Sequence, residues 1–164
     1  MDQGNFEGAR SGLDSLAEAD ASSKAAAVLR ARIAAAEKND ERVIEALSQL
    51  TDEDSNTEVR WLRATAMSRL GKMNEAEAEL SALLDAEPEN VAAIQARASV
   101  YEDLRDWMNA IGDASTVLEL DATNAEARRL RGVAQFHLGR YQDAIDDLDS
   151  DAVRAIDTAS LQWM

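Results

Sequence analysis

The sequence predicts an all-α solenoid of antiparallel helical hairpins, and three observations lead to that fold class. Asn56, Asn90 and Asn124 are spaced 34 residues apart, and segments of similar layout follow each of them. In each segment, apolar residues recur at spacings of three and four through two successive runs, which is typical of amphipathic helices. A fixed period of this size indicates hairpins that bury their apolar faces by stacking on their neighbours.

The period divides the chain into units, which we take in order. We expect a partial unit over residues 1–23, about four complete units over 24–56, 57–90, 91–124 and 125–158, and the start of a further unit over 159–164. The first segment, with Phe6 and Leu13, is similar to the second helix of a hairpin, whereas Ala159–Met164 is similar to the first-helix start Thr57–Leu62. Because both ends break off within a unit, we expect one repeat domain that is a fragment of a longer array, or one whose ends are covered by a partner or a second copy.

Small residues recur where the two helices of a hairpin must approach closely. When each unit is counted from its first residue, position 8 holds Ala31, Ala64, Ala98 and Gly132. Gly71 and Gly139 follow the first helix at position 15, where glycine can adopt the left-handed conformation that ends a helix. Each periodic asparagine is expected to cap the helix that follows, because its side-chain oxygen can accept a hydrogen bond from an unpaired backbone amide.

Two stretches of the chain carry a resemblance to a known family. They are Ala125–Gly132 followed by Leu138–Ile145, and Leu70–Ala76 with Pro88 near the end of the same unit. In their small residues and their turns they are similar to the tetratricopeptide repeat (TPR) family. The resemblance implies a right-handed solenoid whose first helices line a concave inner surface and whose second helices form the outer surface.

Composition excludes several function classes. The chain has no cysteine, so disulfides and thiolate metal sites are excluded. No apolar run is long enough to span a membrane, and a net charge of −15 disfavours nucleic acid as a partner because phosphates would be repelled. Abundant alanine, scarce lysine and excess carboxylate favour a bacterial source. We expect a soluble protein, and the sequence leaves the cytoplasm and the periplasm open.

Neither a catalytic site nor a metal site is predicted. His137 is the only histidine, and without cysteine the chain lacks the usual pairs of nucleophile and base. Asp147–Asp151 resembles half of a calcium-binding loop, but Ala152 replaces the required glycine and Thr158 the closing glutamate. We therefore expect a protein that is not an enzyme and has no cofactor and no bound metal.

Charge alternates between the two helices of most hairpins. The first helix over 57–72 has a net charge of +3 and its partner over 73–87 has −5, and 125–140 and 141–151 repeat these values. With first helices on the inner surface, as the resemblance implies, this pattern favours an acidic or carboxylate-ended ligand. The alternative is that arginines pair with carboxylates of the adjacent helix, and we assign this structural role to the four arginines at position 7: Arg30, Arg63, Arg97 and Arg131.

The resemblance also implies which first-helix positions face the groove. They give a predicted peptide-binding groove lined by Trp61, Thr65, Arg69, Gln95, Ser99, Glu102, Arg129, Val133, Phe136, His137 and Arg140. Aromatic and arginine side chains among them suit an interface, because such residues dominate binding hot spots. Trp61 has a second possible role, which is to fill the seam left by a missing aromatic residue at position 4. Trp107 and Tyr141, both at position 17, are expected in the hairpin core.

These expectations favour a non-catalytic scaffold that binds a peptide or helix of a partner protein in its groove, in the assembly of a bacterial complex. Two alternatives stay open. One is a substrate-recruiting or regulatory arm of a larger enzyme. The other is a scaffold that self-associates head to tail through its open repeat ends, at Phe6 and Leu13 on one side and at Leu161 and Trp163 on the other.

Overall fold

The computed structural model describes residues 23–149, and that range folds into helices and connecting turns without a β-strand. The described helices are α1 (Lys24–Ala36), α2 (Asp40–Leu47), α3 (Thr57–Arg69), α4 (Met73–Ala86), α5 (Val91–Asp103), α6 (Trp107–Leu120), α7 (Ala125–His137) and α8 (Tyr141–Leu148). None of them combines the length and apolar character needed to cross a bilayer. The predicted partial units at both ends and the calcium-like segment beyond Asp149 lie outside the described residues.

Each first helix begins directly after a residue that caps it. The side-chain oxygens of Asn56, Asn90 and Asn124 accept hydrogen bonds from the backbone amide three residues further on, at 2.9, 3.1 and 2.9 Å. Ser23 does the same for α1 at 3.2 Å. A cap of this kind contributes about 1 kcal/mol to the helix it starts. The predicted capping role of the periodic asparagines is therefore confirmed.

The turns inside the hairpins share one residue in the left-handed backbone region. Gly71 and Gly139 occupy it with φ near +76°, as predicted. Lys38 and Arg105 adopt the same conformation at the equivalent position 15, with φ of 56° and 58°. Side chains that carry a Cβ are disfavoured there by roughly 1–2 kcal/mol. The turn geometry is therefore imposed by the packing of the two helices, and glycine only makes it easier to reach.

Arg105→Gly is expected to raise the free energy of unfolding by about 0.5–1 kcal/mol, because relief of the Cβ strain outweighs the greater freedom of glycine in the unfolded chain. Urea unfolding followed by circular dichroism at 222 nm measures the change. Arg105→Ala is the matched control: it removes the guanidinium but keeps the Cβ, so stability should not rise. A similar gain from both substitutions would show that the guanidinium, and not the backbone, is responsible.

The described contacts divide the chain into two compact units, residues 1–83 and 84–164. In the first unit α2 packs against both α1 and α3, and α1 also contacts α3. In the second unit α6 packs against α5 and α7, α8 packs against α7, and α5 contacts α7. Within the first unit α3 thus lies against the second helix of the preceding hairpin, and within the second unit α7 lies against the second helices of the preceding hairpin and of its own. This is the arrangement of stacked antiparallel hairpins.

The cores of both units are built from small and medium aliphatic side chains. The first unit contains a buried cluster of Ala31, Ala34, Val43, Leu47, Val59 and Ala66, and the second contains Ala98, Ala114 and Leu130. Position 8 is buried in all four complete units, as the close approach of the helices requires. At Gly132 the helices approach closely, because an added Cβ would lie 2.7 Å from Cγ of Leu148.

Candidate functional site

The arginines at position 7 pair with carboxylates on the second helix of the same hairpin. Arg97 donates to Asp113 through Nε and Nη2 at 2.8 and 2.9 Å, and Arg131 donates to Asp147 through the same two nitrogens at 2.7 Å each. Both carboxylates are buried. Hydrogen bonds to Asp147 raise the pKa of Arg131 above its usual value, which keeps the guanidinium charged. For these arginines the predicted structural role is confirmed.

Arg63 has the same role in the first unit, with more partners. Its Nη1 donates to Oγ of Ser55 at 2.9 Å and to Oε1 of Glu79 at 3.3 Å. Its Nη2 donates to the carbonyl oxygens of Leu47 and Leu50, at 2.9 and 2.6 Å. The residue is only 9% exposed. Arg63 therefore joins its own hairpin to the end of the preceding one. The assignment of Arg30 stays a prediction.

Arg129, a predicted groove residue, is held between two carboxylates. Its Nη1 and Nη2 donate to the two oxygens of Glu102 at 3.1 and 2.9 Å, and its Nε and Nη2 donate to Oε1 of Glu126 at 3.1 and 2.9 Å. These hydrogen bonds, first those to Glu102 and then those to Glu126, raise the pKa of Arg129 above its usual value. The three side chains together carry one negative charge. Arg129 is thus not an unpaired cation that awaits an acidic ligand.

The first-helix arginines of the first unit are also paired. Arg69 donates to Asp40 at 3.3 Å, and Arg32 forms an ion pair with Glu58. Among the predicted groove residues of positive charge, Arg140 makes no ion pair with any residue between 23 and 149, and its side chain is exposed. The positive charge predicted for the first helices is therefore largely neutralised by neighbouring carboxylates.

The polar groove residues are engaged locally as well. The hydroxyl of Thr65 donates to the carbonyl of Trp61 at 2.9 Å, and that of Ser99 donates to the carbonyl of Gln95 at 3.2 Å. Oε1 of Gln95 accepts from the capping Asn124 at 3.0 Å. Trp61 is half-buried, which is compatible with both roles that the sequence left open for it. Trp61, Thr65 and Arg69 belong to the first unit, and the other predicted groove residues belong to the second.

Four rings of the second unit form a continuous series that we call the aromatic row: Trp107, His137, Phe136 and Tyr141. The rings of Trp107 and His137 stack with centroids 4.1 Å apart and planes 10° from parallel. Phe136 makes edge contacts with His137 at 5.8 Å and with Tyr141 at 5.7 Å. Trp107 and Tyr141 begin second helices, and Phe136 and His137 end a first helix. The row therefore lies at the hairpin turns.

Most of the aromatic row is accessible to solvent. Phe136 is 55% exposed and Tyr141 is 61% exposed, His137 is exposed, and Trp107 is half-buried. The prediction that Tyr141 lies in the hairpin core is wrong, because the first residue of α8 extends its ring over the turn towards Phe136. Val133 is half-buried on α7, one turn before His137. The sequence named all four rings but not their contact, since His137 and Trp107 come from different repeats.

Comparison with known proteins gives a family match for part of the chain and a shared fold for most of it. A family model described as tetratricopeptide repeat matches residues 96–160. The structure is similar to that of MamA, with a TM-score of 0.82 at 16% identity over 96% of this chain and 92% of MamA. It is also similar to YrrB, described as a TPR protein with an unusual peptide-binding site, with a TM-score of 0.80 at 17% identity over 88% of this chain and 75% of YrrB. No curated protein sequence gives a match.

At such low identities the two solved structures show the fold alone. They share it over most of the chain, whereas the sequence model matches the later repeats. The predicted all-α solenoid of antiparallel helical hairpins is therefore confirmed, and residues 96–160 carry the match to the tetratricopeptide repeat model.

Proposed function

We propose that this chain is a non-catalytic interaction scaffold whose first-helix face in residues 91–140 binds a peptide or helix of a partner protein. The observation that carries the proposal is Phe136, a large apolar side chain that is 55% exposed on α7. Burial of such a ring on binding contributes roughly 1.5–3 kcal/mol, and aromatic anchors of this kind dominate interface energies. The peptide-binding site ascribed to YrrB, which has the same fold, supports the same role.

The polar residues of the predicted groove in the second unit suit a rim more than an anchor. Arg129 and Glu102 satisfy each other, and the hydroxyl of Ser99 bonds to its own helix. Groups that are already paired offer little net energy to a ligand, because each new hydrogen bond must replace an existing one. They still exclude water from the edge of a bound segment, which is how the surroundings of a hot spot act.

An acidic ligand, which the alternation of charge predicted, receives less support than an apolar one. Arg69 and Arg129 already pair with carboxylates, and Arg140 is the remaining predicted groove arginine without an ion pair in the described range. One exposed arginine in a chain of net charge −15 attracts an acidic peptide weakly. We therefore propose that apolar contact with Phe136 makes the main contribution to the free energy of binding.

Phe136→Ala is expected to weaken partner binding about 30-fold, which corresponds to a hot-spot loss of about 2 kcal/mol. The tagged chain and its variants are used to capture partners from a bacterial lysate, and the affinity for the main captured protein is then measured by calorimetry. Ile145→Ala is the matched control, because Ile145 is 56% exposed but lies on α8. Circular dichroism confirms that both variants fold. Equal affinities for the wild type and Phe136→Ala would exclude the proposed anchor.

The wider setting belongs to the same proposal. We favour a role in the assembly of a bacterial complex. The alternative is a recruiting arm of a larger enzyme, and the length of the parent gene product distinguishes the two. Head-to-tail self-association stays an alternative, and the open ends predicted for it, at Phe6, Leu13, Leu161 and Trp163, lie outside the described residues. Light scattering over a range of concentrations distinguishes it from a monomeric scaffold.

A further inference from the structure

The aromatic row offers a ligand more than one anchor. Phe136 and Tyr141 are each more than half exposed, and they contact each other. Trp107 and His137 extend the same series of rings onto the preceding hairpin. The faces of aromatic rings carry partial negative charge, so an exposed series of rings attracts cations as well as apolar groups.

The second unit as a whole carries a strong excess of negative charge. Residues 84–149 contain 14 acidic and six basic side chains, a net charge of −8. Three of the six arginines, Arg97, Arg129 and Arg131, are held by carboxylates. At the turn that leads into Trp107, Asp103 is exposed and Asp106 caps α6.

Two exposed arginines lie at the same turns, and their positive charge opposes the attraction of a cationic ligand. Arg105 lies between Asp103 and Asp106, and Arg140 directly precedes Tyr141. Their two positive charges balance those two aspartates. The triad of Arg129, Glu102 and Glu126 adds one further negative charge to the unit. The rings and the net charge of the unit therefore decide which ligand is preferred, and both favour a cation.

From this arrangement we infer that the aromatic row is a docking surface for a basic segment of a partner protein, with an arginine side chain stacked on the exposed rings of Phe136 and Tyr141. The inference rests on the proposed function, since Phe136 is the anchor in both, and it adds the site and the charge of the ligand. Arginine is preferred to lysine because its planar guanidinium stacks on an aromatic face and is less strongly hydrated. The ligand then lies across the hairpin turns at which the four rings stand.

Three labelled peptides test this inference by fluorescence anisotropy with the full chain. They are four repeats of Gly-Arg-Leu, of Gly-Lys-Leu and of Gly-Glu-Leu, which differ only in the charged side chain. We expect the arginine peptide to bind at least threefold more tightly than the lysine peptide and at least tenfold more tightly than the glutamate peptide. Its affinity should fall when salt is raised from 50 to 300 mM, since part of the attraction is electrostatic.

Variants in the aromatic row distinguish stacking on the rings from attraction to the net negative charge of the chain. Tyr141→Ala and Phe136→Ala change no charge, and each should lower the affinity for the arginine peptide at least fivefold. Phe136→Trp keeps an aromatic ring at this position and should keep the affinity. Ile145→Ala alters a similarly exposed residue outside the row and should leave the affinity for the arginine peptide unchanged. Equal binding of the arginine and lysine peptides together with no effect of either alanine variant would overturn the inference, because the attraction would then be that of net charge alone.

The test also distinguishes this inference from the proposed function. If Phe136→Ala abolishes capture of a partner but the glutamate peptide binds more tightly than the arginine peptide, the scaffold stands and the basic ligand is excluded. If Phe136→Ala leaves partner capture intact while the arginine peptide depends on Tyr141, the row binds cations and the proposed anchor is wrong.

Discussion

Replacement of Arg63 by leucine is expected to lower the free energy of unfolding by about 3 kcal/mol, the lower end of the range for breaking a buried ion pair. Leucine has a similar apolar stem, so the loss comes from the hydrogen bonds and not from a cavity. Glu79 keeps a second partner, because Arg60 donates to it at 3.1 Å. This remaining pair is the reason that we expect the lower end of the range.

Most of the penalty should come from two backbone carbonyls. The oxygens of Leu47 and Leu50 both accept from Nη2 of Arg63, and they lie where the chain leaves α2. A buried carbonyl that loses a charged donor costs roughly 1–3 kcal/mol. Because Arg63 belongs to the next hairpin, its loss weakens the contact between neighbouring repeats, on which the stability of stacked hairpins depends.

Urea unfolding of Arg63→Leu, Arg63→Lys and Arg69→Leu, followed at 222 nm, measures these effects. Lysine keeps the charge but cannot direct donors to four acceptors at once, so we expect it to recover less than half of the loss. Arg69→Leu is the control: its ion pair with Asp40 is exposed on the arginine side, and such pairs contribute at most about 1 kcal/mol. Similar losses for Arg63→Leu and Arg69→Leu would show that the buried network adds nothing.

The sequence predicted the role of Arg63 because the relevant spacing lies inside one hairpin. Arg63 and Glu79 are 16 residues apart, as are Arg97 and Asp113, and Arg131 and Asp147. Once the two helices of a hairpin are placed antiparallel, position 7 meets position 23 in the units that begin at residues 57, 91 and 125. The period of 34 residues therefore fixes the helices, their caps and these ion pairs together.

Contacts between different hairpins were harder to foresee. Glu102 and Arg129 were both predicted to face the groove, but their side chains, 27 residues apart, bind each other. The stack of Trp107 on His137 likewise joins two repeats. Such contacts depend on the register in which one hairpin lies on the next, and the repeat pattern does not encode that register. For this reason the fold could be predicted from the sequence. Which charges of the candidate surface are paired and which of its side chains are exposed could be seen only in the structure.

Gly132→Val is expected to lower the free energy of unfolding by about 2–3 kcal/mol, the range for overpacking a well-packed core. An added Cβ would lie 2.7 and 2.9 Å from Cγ and Cδ2 of Leu148 and 3.2 Å from Cβ of Asp147. Since Leu148 follows Asp147 on α8, displacement of this helix also strains the ion pair between Asp147 and Arg131. Thermal or urea unfolding of the folded variant measures the loss.

Gly112→Val is the matched control within α6. An added Cβ at Gly112 meets no atom within 4 Å, so only helix propensity changes, and valine and glycine differ there by less than about 0.5 kcal/mol. Stability should therefore stay nearly constant in this variant. Equal losses at Gly112 and Gly132 would mean that valine disfavours the helix itself and that the close approach of α7 and α8 is not the cause.

Leu148→Ala in the Gly132→Val background should recover part of the loss, because it removes the atoms nearest to the new side chain. Position 24, where Leu148 lies, holds alanine in the preceding unit, and there Ala114 shares a buried cluster with Ala98 of position 8. The chain thus already contains one hairpin in which position 8 carries a Cβ and position 24 is small. In a wild-type background Leu148→Ala alone removes packing and should destabilise, so the two substitutions must be non-additive by at least 1 kcal/mol if the clash is real.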